Sequence, residues 1–553
     1  MTDDTGYWYG IARRRVSRRR ALAGGGALAV GAAGIALAGC GSDAKPAAPT
    51  ETPTRGGTLH LGTALPLSAG LDPQTERGTG LQIFPRVYGY ALHVDPADGR
   101  VIYDHATSVE QTDDLTNIIT LHPDIRFQNI APVSARVVTA TDAARSILRF
   151  RDNIVATNRD WFTSVLDKAE ATDVTTLRVT TKRPNVYSLD EVGGISGGAI
   201  LPVELIDARA NLDAAGIGSG PFAIASADDR SDLRIVRNDG FFRAPVPYLD
   251  AMEWRVFADD GAKVESFKRR EIDMMPNRDK NEALAMRAFS NQIDVNNEPS
   301  LSSLSIGLRV DKPPFGDLRF RMALDEAVDR GALIRDVAFG EGDVPGPVNP
   351  HLARGYWSLP NDEIVAAQKG ALPAADRRAD VQALLAAAGA TNASFKLQVA
   401  NVPQLIDVAT VVRQQLQQVG LAAELEILDL LVWFANFRRG AFDATLISHL
   451  PYESPDAPTR FYHSRGPDDT TNPFGFADAG IDALVERSWG ERDRAARQQT
   501  LLDAQRKMIA ARPMIQLFTS TGYSSAWRTV RNRKPELNGS LAQYNYEQWI
   551  APR

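Results

Sequence analysis

The chain has 553 residues, of which 44% are hydrophobic, and it carries a net charge of −6 at neutral pH and a single cysteine. This length is enough for several lobes with their own apolar cores rather than one small domain. The acidic balance argues against nucleic acid or an anionic membrane surface as the main ligand. A single cysteine excludes an internal disulfide.

The first forty residues predict an export signal. Arginines are concentrated at positions 13–20, an apolar stretch rich in glycine and alanine follows, and small residues precede Cys40. This order is typical of a secretory signal peptide with a cleavage site. Arg18 and Arg19 fit a twin-arginine signal, but Ala21 stands where such signals usually have a bulky residue, so export by the general secretory route stays open.

The end of this segment, Leu-Ala-Gly-Cys, resembles the lipobox of bacterial lipoproteins. The resemblance implies that the chain is cut before Cys40 and that a diacyl lipid is attached to its thiol. The alternative is a transmembrane helix, but the apolar run Ala21–Ala38 is short for a bilayer and contains five glycines. Cleavage would remove six arginines and two aspartates and leave a net charge of −10. Residues 41–53, rich in Ala, Pro, Ser and Thr, predict a flexible tether.

From residue 56 onwards, strand and helix patterns are interleaved, which indicates an α/β protein. Runs of β-branched and aromatic residues between turn residues predict strands at Thr58–Leu61, Ile118–Leu121, Thr176–Thr181, Asp232–Arg237 and Met252–Phe257. A 3.6-residue periodicity predicts helices at Ala140–Arg151, Asp317–Arg330, Asp380–Ala388, Ala409–Val419, Ile481–Trp489 and Arg494–Ile509. The poorly patterned segment Arg354–Asp376 predicts an excursion on the surface of one lobe.

No motif in the sequence predicts catalysis, a cofactor or a metal site. Ser196 lies in a Gly-x-Ser-x-Gly pattern, but the extended run Ala199–Pro202 follows it where a nucleophile elbow requires a helix. The glycines at 216, 218 and 220 lack the spacing of a dinucleotide fingerprint, and Pro221 opens a strand rather than a phosphate-binding helix. The seven histidines include no pair at i and i+4 around a glutamate, as a helical zinc site would require.

Several short elements, each weak alone, occur in an order that resembles the family 5 extracellular solute-binding proteins. These are the oligopeptide- and dipeptide-binding lipoproteins of ABC importers. The elements are Arg55–Leu59, Leu71–Pro73, Gly218–Phe222, Arg237–Phe242, Pro247–Asp250, Arg270–Asp273, Pro313–Leu324, Ala327–Arg330, Ala383–Gly389 and Gly440–Ala444. Gly218–Phe222, for example, is similar to the Gly-Thr-Gly-Pro-Tyr of that family.

The resemblance implies a two-lobed α/β fold of the periplasmic-binding-protein type with an extra inserted domain. Lobe I would consist of residues 54–90, 215–297 and 514–553, the inserted domain of residues 91–214, and lobe II of residues 298–513. Crossing strands would join the lobes, which would close on a solute by a hinge motion.

The resemblance also implies a function without catalysis. The protein would be a monomeric receptor outside the plasma membrane, held there by its lipid. It would deliver a small solute, in most relatives of this length a short peptide, to an ABC permease and its ATPase. The alternatives are a receptor for a non-peptide solute such as a sugar, metal chelate or haem, and an envelope sensor or regulator on the same scaffold.

The predicted ligand contacts follow from the segment after Gly440–Ala444. Peptide binders usually have Gly-Trp there and then an acidic residue that takes the peptide ammonium, whereas this chain has Ser448-His449 and then Glu453 and Asp456. Asp456 is preferred because two neighbouring prolines stiffen its loop; the alternative for either acid is a solvated loop position.

Arg309 is the fourth candidate ligand contact, alongside His449, Glu453 and Asp456. It stands where the family often has asparagine, and its guanidinium could meet a ligand carboxylate. An ordinary surface arginine is the alternative.

Replacing Cys40 with Ala tests the lipobox. We expect the variant to lose lipid attachment and signal cleavage, so that unprocessed protein accumulates, whereas Ser42→Ala in the tether is processed normally. Fractionation of cells with immunoblotting and metabolic labelling with a fatty acid measures both effects. A Cys40→Ala protein that remains processed and membrane-bound would show that Cys40 carries no anchor.

Overall fold

The computed structural model describes residues 52–64, 71–75, 80–94, 101–153, 160–194, 197–207, 216–227, 232–368, 374–449, 452, 454–466, 472–533 and 546–552. Arg18, Arg19, Cys40, Ser196 and Glu453 lie outside the described residues. In the described part of the chain, no helix combines the length and the apolar composition that a membrane crossing requires.

Helices and strands are interleaved along the chain. The helices are α1 (Gly80–Val87), α2 (Ala140–Asp152), α3 (Asp160–Ser164), α4 (Ser188–Gly193), α5 (Val203–Asp207), α6 (Asp260–Lys268), α7 (Lys280–Phe289), α8 (Leu318–Ala327), α9 (Arg330–Asp336), α10 (Asn361–Ala367), α11 (Ala374–Ala387), α12 (Pro403–Gln418), α13 (Leu430–Arg439), α14 (Asp456–Arg460), α15 (Ala479–Gly490) and α16 (Arg494–Ala511). The strands are β1 (Thr58–Thr63), β2 (Gly89–Tyr90), β3 (Leu92–Val94), β4 (Val101–Tyr103), β5 (Ala106–Gln111), β6 (Thr116–Leu121), β7 (Leu166–Ala171), β8 (Thr176–Thr181), β9 (Ala199–Ile200), β10 (Phe222–Ala227), β11 (Asp232–Arg237), β12 (Ala251–Val256), β13 (Met274–Asn277), β14 (Ile293–Leu308), β15 (Ser394–Ala400), β16 (Ala422–Leu428), β17 (Ala444–His449), β18 (Met514–Trp527), β19 (Val530–Arg531) and β20 (Trp549–Ile550).

A ten-stranded mixed sheet runs through both predicted lobes, in the order β10-β11-β12-β1-β13-β18-β14-β17-β15-β16. Its two central strands, β14 and β18, are the longest, with 16 and 14 residues. They pair antiparallel as far as Pro299 and Thr521, and the pairing resumes at Ser303 and Thr519. Strands of predicted lobe I lie on one side of this break and strands of predicted lobe II on the other, so β14 and β18 cross between the lobes.

The predicted inserted domain has its own sheet. Strands β5, β6, β8 and β7 form an antiparallel sheet, and helix α2 packs against β7 and β8. Ile119 and Val179 of the sheet and Phe150 of the helix are fully buried. The same apolar cluster continues to Leu59 and Phe222 of lobe I, so the inserted domain and lobe I share one core. The exact domain boundaries stay a prediction.

The helix predicted at Asp317–Arg330 is instead two helices. α8 ends at Ala327, because Val328 has an extended backbone with φ −82° and ψ 116°. The side chain of Asp329 then accepts a hydrogen bond from the backbone N–H of Ala332 and begins α9. An aspartate at this position satisfies an N–H group that the first helical turn leaves free.

The prediction of a surface excursion at Arg354–Asp376 is also wrong in part. Trp357, Leu359 and Ile364 of this segment are at most 4% exposed. They pack against apolar side chains of helix α16. The apolar residues are too irregularly spaced for a helix or strand pattern, which is why their burial was not apparent from periodicity.

The glycines of the Gly218–Phe222 element allow close packing of two backbone segments. A Cβ atom at Gly218 would lie 2.1 Å from the carbonyl oxygen of Val87, and one at Gly220 would lie 2.7 Å from that of Arg86. The backbone N–H of Gly220 donates to the Val87 carbonyl oxygen at 2.9 Å. Because a backbone atom cannot move aside as a side chain can, only glycine fits these positions.

We expect Gly218→Ala to lower the free energy of unfolding by about 1–3 kcal/mol, the usual range for overpacking. Gly240→Ala is the matched control, because its added Cβ would meet only the Asn238 side chain, at 3.3 Å. Urea unfolding of both variants measures the difference. Equal stability of Gly218→Ala and the control would contradict the close packing of these segments.

Candidate functional site

The topology places the ends of three lobe II strands next to the crossing strands. β17 is antiparallel to β14, and its last residue, His449, lies opposite Ser303, directly after the break in pairing. β15 and β16 run parallel to β17. The carboxyl ends of all three strands therefore meet at the edge of lobe II that faces the hinge, which is where open α/β sheets bind ligands.

Asp456, the first residue of α14, follows β17 at this edge. Its side chain is 1% exposed, and its Oδ1 atom accepts a hydrogen bond of 2.5 Å from the indole Nε1–H of Trp489. Its Oδ2 atom is buried and has no hydrogen-bond partner among the described residues. One acceptor oxygen of this carboxylate is therefore buried without a hydrogen bond from any described residue.

Burial raises the pKa of the Asp456 carboxyl above its ordinary value. The charges of Arg460, Arg183 and His463 and the hydrogen bond from Trp489 oppose this effect. A desolvated carboxylate is costly unless it is paired. A cationic N–H donor at Oδ2 would stabilise the charged form and lower this pKa.

The inserted domain contacts lobe II beside Asp456. The guanidinium of Arg183 lies 4.5 Å from the centre of a Trp489 ring, and the backbone N–H of Val186 donates to the Trp489 carbonyl oxygen at 2.8 Å. Arg460 donates a hydrogen bond of 3.1 Å to the hydroxyl of Ser164. The candidate site thus lies where the predicted inserted domain meets predicted lobe II.

His449 is buried between polar and aromatic neighbours. Its Nε2 atom is 2.7 Å from the Ser305 hydroxyl, and its ring centre is 5.7 Å from that of Phe461 and 6.5 Å from that of Tyr452. Burial lowers the pKa of His449 to about 4, so the imidazole is neutral at neutral pH. A neutral imidazole can donate or accept a hydrogen bond, and its role as a ligand contact stays a prediction.

Arg309 is not brought together with Asp456 and His449. It follows the far end of β14, and its backbone N–H donates to the carbonyl oxygen of Asp443, just before β17 begins. Its guanidinium forms two hydrogen bonds with Asp311, at 2.6 and 2.8 Å, and a third with the Pro473 carbonyl oxygen at 3.0 Å. These contacts give Arg309 a role in holding loops of lobe II together.

Trp489 and Arg183 were not singled out from the sequence. Trp489 ends a predicted amphipathic helix, where an aromatic residue indicates core packing, and it lies 33 residues from Asp456. Arg183 belongs to the predicted inserted domain. No local pattern links them, so only the folded chain shows their contact. Among the described residues, no group of three or more His, Cys, Asp or Glu is arranged to hold a metal ion.

The buried, neutral His449 makes stability depend on pH. Its folded-state pKa of about 4 lies below its ordinary value of 6.5, so the unfolded chain binds the proton more tightly. The free energy of unfolding is therefore unaffected by His449 above pH 6.5. It decreases as the pH falls from 6.5 towards 4, by roughly 3 kcal/mol in total.

We therefore expect wild type to lose more stability over this interval than His449→Gln, which has no titrating group there. Urea unfolding of both proteins at several pH values gives the two slopes. If the stabilities of the two proteins changed equally with pH, folding would not alter the proton affinity of His449.

Comparison with known proteins gives the family. Residues 100–472 match the family model described as bacterial extracellular solute-binding proteins, family 5 Middle. The glutathione-binding protein GsiB of Escherichia coli O1:K1 / APEC is 26% identical over 268 residues, which are 46% of this chain and 49% of GsiB. The match thus spans about half the length of these curated relatives.

Two solved structures show the fold. The binding protein AgaA from A. tumefaciens R10, in complex with agropinic acid, has a TM-score of 0.75 and 20% identity, over 90% of this chain and 99% of AgaA. DppA from Helicobacter pylori, in complex with the peptide STSA, has a TM-score of 0.74 and 16% identity, over 90% of this chain and 98% of DppA. The two-lobed α/β prediction is therefore confirmed.

The family and these neighbours are binding proteins and not enzymes, which agrees with the absence of a predicted catalytic motif. The family model covers more than half of the chain. The protein belongs to the bacterial extracellular solute-binding proteins of family 5.

Proposed function

We propose that the protein is a lipid-anchored receptor outside the plasma membrane that captures short peptides and delivers them to the permease of an ABC importer. The observation that carries this proposal is the buried carboxylate of Asp456, whose Oδ2 atom accepts no hydrogen bond in the part of the chain that the structure describes. An importer receptor needs such a group if it is to hold the charged end of a small, water-soluble ligand.

A peptide ammonium matches this carboxylate in charge and in hydrogen-bonding capacity. It brings a positive charge and three N–H donors, and a charge-assisted hydrogen bond is about twice as strong as a neutral one. The rest of an extended peptide can pair its main chain with strand edges, which gives affinity with little selectivity for side chains. Ammonium recognition with main-chain pairing would suit a receptor for peptides of many sequences.

Names and complexes of similar proteins support a peptide ligand. GsiB is a glutathione-binding protein, DppA of Helicobacter pylori was solved with the peptide STSA, and AppA of Bacillus subtilis was solved with a nonapeptide. Closure on the ligand would occur about the break in the pairing of β14 with β18, because this is where the sheet is least continuous between the lobes.

A non-peptide solute is the second candidate. AgaA, with a TM-score of 0.75, was solved with agropinic acid, and this chain has His449 where peptide binders usually have tryptophan. Mass spectrometry of the ligand retained through purification separates the two candidates. Recovery of peptides supports the first, and recovery of a non-peptide solute alone supports the second.

The lipid anchor and the importer belong to the same proposal. A lipid on Cys40 would keep a monomeric receptor close to a permease in the same membrane and raise its effective concentration there.

Asp456→Asn tests the ligand contact. We expect the substitution to weaken binding of trialanine with a free amine by roughly 2–5 kcal/mol, because the ligand charge then lacks its partner. Binding of N-acetyl-trialanine, which has no ammonium, should be weak in wild type and unchanged in the variant. Titration calorimetry at neutral pH measures both ligands.

Glu453→Gln is the matched control and should bind trialanine as wild type does. If Glu453→Gln loses affinity and Asp456→Asn does not, Glu453 holds the ammonium. If neither variant changes the preference for the free amine, the ammonium contact is absent from this segment.

A further inference from the structure

Trp489 occupies one of the two oxygens of Asp456. Its indole Nε1–H donates to Oδ1 at 2.5 Å, and Oδ2 accepts no hydrogen bond from any residue that the structure describes. An indole is a donor only, so this contact favours the charged carboxylate and cannot occupy both oxygens. The hydrogen bond also fixes the rotation of the carboxylate about its terminal torsion, which is otherwise broad.

The Trp489 ring is itself held on two sides. The guanidinium of Arg183 lies 4.5 Å from a ring centre, and the His463 ring lies 5.5 Å from the indole at an interplanar angle of 33°. The main chain is fixed as well, because Val186 donates to the Trp489 carbonyl oxygen at 2.8 Å. Two of these three contacts come from the inserted domain.

We infer that Trp489 is a positioning residue for ligand capture, which aims Asp456 at the ammonium of a ligand, and that the inserted domain holds Trp489 in place through Arg183 and Val186. The inference rests on the proposed role of Asp456. Recognition of the ligand charge by lobe II would then depend on the contact of the inserted domain with Trp489. The ion pair of Arg492 with Asp114, at 2.6 Å, is a further contact across the same boundary.

Several charged or titratable groups face Asp456 and must be considered in any pH profile. Arg460 lies on the same helix, Arg183 and Tyr187 face it from the inserted domain, and His463 faces it from the following loop. The cations favour the charged carboxylate. Loss of the indole hydrogen bond removes a further group that favours it, so the carboxyl should take up its proton at higher pH.

Trp489→Phe removes the indole donor and keeps an aromatic ring beneath Arg183. We expect its affinity for trialanine to fall at least about tenfold, as for loss of a hydrogen bond to a charged group. Affinity for N-acetyl-trialanine should be unchanged, and the pH below which trialanine binding is lost should move upwards. Trp433→Phe is the matched control, because it removes an indole hydrogen bond of 2.9 Å to Thr445 in the same lobe.

Arg183→Gln is the second variant, because the half-buried Arg183 side chain tolerates substitution better than the buried Trp489. It should show the same selective loss for trialanine, to a smaller degree. If Trp489→Phe does not fold, as judged by circular dichroism, the result for Arg183→Gln decides. Wild-type affinity of Arg183→Gln for trialanine would then overturn the inference.

The double variant Asp456→Asn/Trp489→Phe separates positioning from general support of the fold. If Trp489 acts through Asp456, adding Trp489→Phe to Asp456→Asn causes little further loss of trialanine binding. Equal weakening of both peptides, or full additivity in the double variant, would overturn the inference. If Asp456→Asn alone binds trialanine with wild-type affinity, the proposed ligand contact itself is refuted.

Discussion

The pairing of β14 with β18 is the constraint on which the rest of the structure depends. Each strand contributes to both lobes, and the hydrogen bonds between them are the centre of the ten-stranded sheet. The pairing is interrupted between Pro299 and Ser303, and its register shifts again between Leu304 and Ser305. Because β17 is fixed to β14 next to this break, its last residue, His449, lies beside the point where the strands cross between the lobes.

A second theme is the burial of charge at a boundary between domains. Asp456 is buried where lobe II meets the predicted inserted domain, and only one of its oxygens accepts a hydrogen bond from a described residue. A protein selected for stability alone would gain from an apolar residue there. A buried carboxylate oxygen that accepts no hydrogen bond from a described residue suits a site in which the donor belongs to a ligand.

The sequence predicted the fold better than the site. The local residue pattern was enough to predict β8, whose predicted and observed bounds are both Thr176–Thr181. The order of the short family-like elements indicated the two-lobed fold class. The helix break at Val328 was not predicted, because an aspartate such as Asp329 can either continue a helix or cap a new one, and the sequence alone does not decide between the two. Trp489 was missed because its contact with Asp456 depends on tertiary packing, and no spacing rule describes that.

The position of β18 has a consequence for how the chain reaches this structure. The strand lies between β13 and β14, yet more than 200 residues separate Leu308 from Met514. Lobe I therefore cannot complete its part of the sheet until nearly the whole polypeptide has been synthesised. Contacts between such distant segments form slowly and leave strand edges unpaired in the meantime. Until β18 is in place, β13 and the first half of β14 would be unpaired strand edges that are open to aggregation.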